Sequence, residues 1–469
     1  MPRRALIQTV GLGDTVWEAL AYAIKTLKPD RVEFVCTAAS KAKNLERLLE
    51  CPEFGFLRDT LRAGTHVVSD GESFPRLFDE MLEIISRMET EYAIEVDITT
   101  GTKPMSAALA AAAVARRVDK VHYATGPRDS RGVVTTTTEV LTVRTGSATA
   151  ELELQELAVL FNQHRYASVA ALAASLAKRL LQADPVGRAE LLLARAESIE
   201  RIALAYDLWD RFEWNRANGD ALKGVVGERL AAKTEMAGWP IDRLRAQRDH
   251  VRRCAQPLGL EQAVDLFVNA KRAFEVGRFD DSTARLYRLA EYLGQLQFRG
   301  QFPNQPADNP TRSVPSKALA DRAPRWWQER DRSRSNRAPE TVTLGLDETL
   351  RVLREVDDPL GRWAGEHYFG DGCSQGTPAA IDRRSAPRGD VWQLLQERNN
   401  SFLAHGTSPA KAESTGKLLH ALDGALEVVA KSLGRHDELR ALEERSEFVR
   451  CPWDPIPVAG LVRTRNSNG

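Results

Sequence analysis

Three polar residues toward the end of the sequence, Arg398, Asn399 and His405, are of the types needed for acid–base chemistry on a phosphate. Arginine keeps its charge and can clamp a phosphate as negative charge builds on it, while histidine moves protons near neutral pH. His405 lies seven residues beyond Arg398, about two helical turns, so one helix would point both in nearly the same direction. Such a pair makes a metal-free ribonuclease site, because RNA brings its own nucleophile, the 2′-hydroxyl. A single pair is sparse equipment, and a symmetric dimer contributing two of each suits the chemistry better. Spacing alone does not single the pair out. Arg116 or Arg117 with His122, Arg243 or Arg245 with His250, and Arg362 with His367 stand at similar gaps. What distinguishes Arg398 is the Asn that follows it and the Gly406 that closes the run; otherwise a salt-bridged arginine near a surface histidine is the simpler account.

The second chemical stretch is Asp97-Ile98-Thr99-Thr100-Gly101-Thr102-Lys103-Pro104-Met105-Ser106. A short apolar strand precedes it, and an Ala-rich helix with Pro104 in its first turn follows. A strand that ends in small hydroxyl residues and glycine before a helix presents unpaired backbone N–H groups, a common way to hold phosphate. An unliganded strand-to-helix turn would have the same sequence. Gly11-Leu12-Gly13 closes the first strand, Thr37 the second, and Thr125-Gly126 a later one. Small or hydroxyl residues at each of these ends make a polar floor that a ligand can approach closely, and in an open α/β sheet ligands bind there. A dinucleotide site fits poorly: Gly11-Leu12-Gly13 lacks the third glycine of the fingerprint, and the second strand ends in Cys36-Thr37 with no acidic residue for a ribose. Thr100-Gly101-Thr102-Lys103 is not a Walker loop either.

The elements that must position these residues follow from periodicity. Ala5–Val10, Val32–Cys36, His66–Val68, Tyr92–Ile98 and Val121–Ala124 read as strands, alternating with helices of which Phe74–Met88 is the clearest. Thr135–Val143 alternates as an edge strand. This order predicts a Rossmann-like, doubly wound, mostly parallel sheet. Beyond about Ala150 the pattern turns helical, with a hairpin of Leu260–Val276 and Asp281–Phe298 joined at Gly277–Asp280. The aromatic run Tyr206–Trp214 reads as core. Asn304–Glu340, rich in proline and Ser-Arg pairs, reads as a mobile loop or insertion, and Gly370–Gly389 as another loop. Helical pattern returns at Val342–Val356, then at Gly389 with Asp390 as cap, and at Lys417–Leu433.

Composition narrows the partners. Lys plus Arg and Asp plus Glu both number 65, so a polyanion would have to be met by a local groove, not a global field. The cysteines, five in all, are scattered and suggest neither a metal site nor a disulfide framework, pointing to a reducing compartment. No signal-peptide core follows Met1-Pro2-Arg3-Arg4, and no apolar run is long enough for a membrane span, so a cytoplasmic location is expected.

Together the two stretches resemble a known family. Asp97 to Met105 looks like the second signature of the CARF sensor domain of type III CRISPR systems, and Thr9 to Asp14 sits where its first signature loop belongs. Arg398-Asn399-Asn400-Ser401-Phe402-Leu403-Ala404-His405-Gly406 resembles the Arg-polar-x-His motif of HEPN ribonucleases, and Asp280 to Arg288 is similar to a segment of CARF–HEPN proteins. The resemblance implies a homodimeric accessory effector, activated by a cyclic tetra- or hexa-adenylate, that cuts single-stranded RNA without a metal and leaves a 2′,3′-cyclic phosphate. It implies Arg398 and His405 as catalytic with Asn399 in support. It assigns Gly11, Gly13, Thr37, Thr99, Thr100, Gly101, Thr102 and Lys103 to the activator. No metal, no further cofactor and no stable association with the CRISPR interference complex are implied. The corresponding division is a CARF sensor at 1–150, a helical linker at 151–300, a loop or insertion at 301–340 and a HEPN domain at 341–469, with helices from 260–300 available to the HEPN fold. The alternatives are a ligand-sensing regulator whose HEPN domain is inactive, a metal-dependent nuclease, for which no strand-borne Glu-x-Lys is present, and a nucleotide-dependent oxidoreductase.

Overall fold

A computed structural model describes residues 3–57, 64–127, 130, 134–182, 188–332, 339–370, 388–399 and 408–453. The chain divides into two compact units, 1–158 with 171–197 and 159–170 with 198–469.

The first unit is built on strands β1 (Arg3–Val10), β2 (Arg31–Cys36), β3 (Thr65–Val67), β4 (Tyr92–Asp97), β5 (Lys120–Thr125) and β6 (Glu139–Arg144), interleaved with helices α1 (Val16–Leu27), α2 (Phe74–Met88) and α3 (Lys103–Ala115). The sheet order is β3-β2-β1-β4-β5-β6, parallel except that β6 runs antiparallel along β5. The expected doubly wound sheet and its edge strand are therefore present. Residues 5–10 of β1 are all buried, as a parallel strand covered on both faces requires. Period-two alternation sends Ala5 and Ile7 to one core with Leu77, Met81, Ile85 and Leu109, and Leu6 and Val10 to the other with Leu20, Ile24 and Leu48. The chain leaves β1 for β2 on one side and returns to β4 on the other, so the β1/β4 boundary is the topological switch point.

The second unit is helical. Helices α4 (Leu260–Glu275) and α5 (Phe279–Gln301) form the expected hairpin, turned at Gly277, whose φ is +77°. Their apolar faces share one core with α6 (Leu346–Glu355), α7 (Pro359–His367), α8 (Asp390–Asn399) and α9 (Ala412–Ser432). Tyr206 and Trp209 are fully buried, as core aromatics.

Three readings of this region need correction. The segment read as a loop at 304–340 contains helices Ser316–Arg322 and Pro324–Arg332, because Leu319, Ala323 and Trp326 supply a buried apolar face that the prolines and arginines around them mask in the sequence. Val342 belongs to a short antiparallel ribbon with Val314, and the helix after it begins only at Leu346. Asp390 is the first residue of α8, preceded by Gly389, and the Gln393 side chain donates back to the Arg388 carbonyl at 3.1 Å. Most of the loop read at 370–389 lies outside the described residues.

Candidate functional site

The β1/β4 boundary builds a site from backbone outward. A cavity of about 270 Å³ opens at the strand ends, lined by Gly11, Gly13, Thr99, Thr100 and Gly101, with Tyr123 and Thr135–Thr137 across from them in the sequence of the sheet's later part. Register places Gln8 beside Asp97, so β1 runs on to Val10 alongside the turn that follows the end of β4. Gly101 has φ +99°, and a Cβ there would stand 2.9 Å from Thr9 Cβ; only glycine fits. Gly11 is pressed against the same turn, since its Cβ would lie 2.8 Å from the Gly101 nitrogen.

Side-chain hydrogen bonds hold this turn. Thr9 Oγ1 donates to the Thr100 carbonyl while Thr100 Oγ1 donates to the Thr9 carbonyl. Asp97, almost wholly buried, accepts from the Thr99 amide at 2.9 Å, from the Thr99 hydroxyl and from Gln8 Nε2 at 2.8 Å. Burial pushes the Asp97 carboxyl up, and the bonds from Thr99 and Gln8 oppose that shift. Ser106 Oγ donates to the Thr100 carbonyl at 2.9 Å. On the β1 side, Asn44 Nδ2 donates to the carbonyls of Gly11 at 2.8 Å and Gly13 at 3.1 Å, fixing that loop too.

Of the eight residues assigned to this site from sequence, Gly11, Gly13, Thr99, Thr100 and Gly101 come together on the cavity wall. The other three do not line it. Thr37 caps the turn after β2, its hydroxyl accepting from the Ser40 amide at 3.2 Å. Thr102 is the N-cap of α3 and accepts from the Met105 amide at 3.3 Å, and Lys103 is exposed at the first position of that helix. The hydroxyls of Thr99 and Thr100 each spend their one proton inside the protein, so they can accept from a ligand but not donate to it. Gln8, Asn44, Asp97, Tyr123 and Thr135–Thr137 are additions that the sequence reading passed over. A carboxylate ending a buried strand ahead of two threonines was a usable signal for Asp97, but nothing in the sequence marked Asn44.

The second stretch is described only in part. Arg398 and Asn399 end helix α8, whose Val391 and Leu395 are buried in the helical core; their side chains and His405 lie outside the described residues. The other Arg–His spacings are accounted for structurally. His122 is buried between Glu95 at 3.1 Å and Thr142 at 3.0 Å, and His250 is buried with Ser446 at 2.8 Å. His367 is half exposed, next to Trp363.

Comparison with known proteins gives a family match for part of the chain and a fold match for nearly all of it. Residues 252–369 match the family model described as the Csm6 HEPN domain. The fold is similar to that of Enterococcus italicus Csm6 bound to cyclic hexa-2'-fluoro-hexa-dAMP, with a TM-score of 0.53 and 11% sequence identity, over 94% of this chain and 99% of that one. The likeness to that structure concerns the fold, and the family match concerns residues 252–369. No curated protein matches it in sequence. The HEPN match begins ahead of the α4–α5 hairpin and runs through α7, and it ends before Arg398. The strand-end cavity lies in the α/β unit, at the switch point of its sheet.

Proposed function

We propose that this CARF–HEPN protein is a ribonuclease switched on by a cyclic oligoadenylate, a tetra- or hexa-adenylate, in type III CRISPR antiviral defence. The observation that carries the reading is the cavity at the CARF switch point, walled by Gly11, Gly13 and the Thr99–Gly101 turn, in a chain that also carries a Csm6-type HEPN match. Backbone N–H groups at a strand-to-helix turn suit an anion, and the glycines let the two strand-end loops pack into one wall. Thr37, Thr102 and Lys103 act around this wall, Lys103 by adding charge at the exposed start of α3. A two-fold homodimer would present the same wall twice to one ring, matching the ring's internal symmetry.

In the proposed reaction the RNA 2′-hydroxyl attacks the adjacent phosphorus, the bond to the 5′-oxygen of the next nucleotide breaks, and a 2′,3′-cyclic phosphate remains. His405 moves the proton, Arg398 holds the charge that builds on the phosphate, and Asn399 orients the strand. No metal is required by this chemistry. The CARF unit acts by favouring one of two dimer arrangements, which the ring binds better. No helix among the described residues is long and apolar enough to cross a membrane. In this reading the protein works in the cytoplasm, on its own and not as a stable part of the interference complex.

The deciding test measures cleavage of a single-stranded RNA by purified protein with and without cyclic tetra- and hexa-adenylate, in excess chelator. Ring-dependent cleavage that survives the chelator supports the reading. Tight ring binding with no cleavage would replace it with a ligand-sensing regulator, and cleavage that needs Mg²⁺ would overturn the metal-free mechanism.

A further inference from the structure

A second cavity, of about 220 Å³, opens in the helical unit, away from any residue assigned above. Its basic lining is Lys271, Arg272 and Arg450 with His164, and its acidic lining is Glu275 and Glu447. Glu447 is already faced by Arg243 at 3.7 Å.

Arg272 is the unusual member. It is 6% exposed, yet only its Nη1 has a hydrogen bond, to the Ser446 carbonyl at 2.8 Å. Its Nε and Nη2 are buried and make none among the described residues. Asp210 Oδ1 stands 3.8 Å from Nε, and the same carboxylate also faces Arg278 at 3.8 Å and Arg285 at 3.4 Å. A buried guanidinium with idle donors and a shared counter-charge is costly to keep, unless an anion completes it.

The neighbours indicate what kind of anion. His164 Nδ1 lies 2.7 Å from the Tyr166 hydroxyl. Burial, and then Arg272, push the His164 imidazole down to about 4, and burial holds Tyr166 in its protonated form, so Tyr166 donates and the ring proton of His164 sits on Nε2. The Arg272 guanidinium lies 3.8 Å from the centre of the Phe448 ring, and the Tyr206 ring stacks on Phe448 at 4.0 Å and 11°. Both cannot occupy one face, so both faces of Phe448 are covered and none remains for a nucleobase. The lining can therefore read charge but cannot stack a base on Phe448.

We propose that this cavity binds a phosphate group, held by Lys271, Arg272 and Arg450 with His164 as a further donor. The anion is either a free phosphate or mononucleotide, or a backbone phosphate of single-stranded RNA; only the second source rests on the ribonuclease reading. The test uses the full chain and the double variant Lys271→Glu/Arg450→Glu, which leaves buried Arg272 in place. Inorganic phosphate, against sodium chloride of equal ionic strength, should raise the melting temperature of the wild type and not that of the variant. A 2′-O-methylated single-stranded RNA, which lacks the nucleophile and stays uncut, should bind the variant about tenfold more weakly. Its log K against log salt slope should fall by about 1.4, the loss of two contacts to a single strand. A phosphate effect without an RNA effect assigns the free anion, and the reverse assigns the backbone. Unchanged phosphate and RNA behaviour in the variant overturns the site. Cyclic hexa-adenylate binding, measured on the same samples, reports separately on the CARF cavity.

Discussion

Gly11 and Gly101 meet backbone to backbone: a Cβ on Gly11 would stand 2.8 Å from the Gly101 nitrogen, and one on Gly101 would stand 2.9 Å from Thr9 Cβ. The two loops at the ends of β1 and β4 are thus one piece of architecture, tied further by the reciprocal Thr9–Thr100 bonds. Whatever occupies the cavity beside them meets a wall that cannot gain a methyl group on either strand end without moving.

Substitution of this contact should strike ring binding before anything else. Gly101→Val places a branched residue at φ +99°, a strain of about 1–3 kcal/mol, and should weaken cyclic oligoadenylate binding by about tenfold or more. Lys103→Ala, at an exposed position outside the wall, should weaken it less. Calorimetry with the ring checks both, and cleavage in its absence should hardly change. Equal affinity of Gly101→Val and wild type would remove the loop from the site.

Catalysis should depend on residues at the other end of the chain. Arg398→Ala and His405→Ala should each abolish ring-stimulated RNA cleavage, with ring binding and dimerisation kept. Gel analysis of a labelled RNA, with product ends tested for cyclic phosphate, reads this directly. A doubly substituted protein that still cuts at the wild-type rate would disprove the assignment.

A shared active site has its own signature. Mixing wild-type subunits with Arg398→Ala/His405→Ala subunits should lower activity below simple dilution, because mixed dimers would lack a complete site. Activity strictly proportional to the wild-type fraction would mean that each subunit works alone.

Acid should weaken the α/β unit through Glu95. This carboxylate accepts from His122 and from Lys120 at 2.8 Å, and the His122 bond above all, against the opposing effect of burial, holds it down to about 2. A folded-state value below the ordinary one means that the stabilisation is present above about 4.5 and is lost as pH falls from there toward about 2. Thermal melting between pH 6 and pH 3 should show a steeper loss for wild type than for Glu95→Gln, a difference of about 1–3 kcal/mol over the full window. Parallel curves would show that Glu95 does not titrate as its partners suggest.

The helical core offers a check on a buried polar centre. Asp265 accepts from two indoles, Trp209 Nε1 at 2.7 Å and Trp214 Nε1 at 2.9 Å. Asp265→Ala would leave both N–H groups without this partner and should cost about 3–5 kcal/mol in urea unfolding. A loss under about 1 kcal/mol would mean that the core repairs itself around the deletion.

Much of this molecule could be read in its sequence because the signals were local. Continuous apolar runs such as Ala5–Val10 mark strands buried on both faces, and the stripe in Phe74–Met88 marks a helix covering them. Alternation of the two set the sheet class, and glycine and threonine at the strand ends marked the cavity wall. Asn304–Glu340 misled because three apolar residues that bury its helices are outnumbered by prolines and charges, and only a neighbouring core makes so short a face worth burying. Which of the eight marked residues share a wall was decided by register and by long-range bonds: Gln8 beside Asp97, Thr9 against Thr100, Asn44 reaching the Gly11 and Gly13 carbonyls. Residues more than thirty or ninety positions apart leave no joint pattern in a single chain. The sequence alone determined the elements with a strong period of their own; tertiary packing decided the weakly patterned helices and which strand ends meet, because hydrophobic periodicity is a property of neighbours along the chain and a binding wall is a property of neighbours in space.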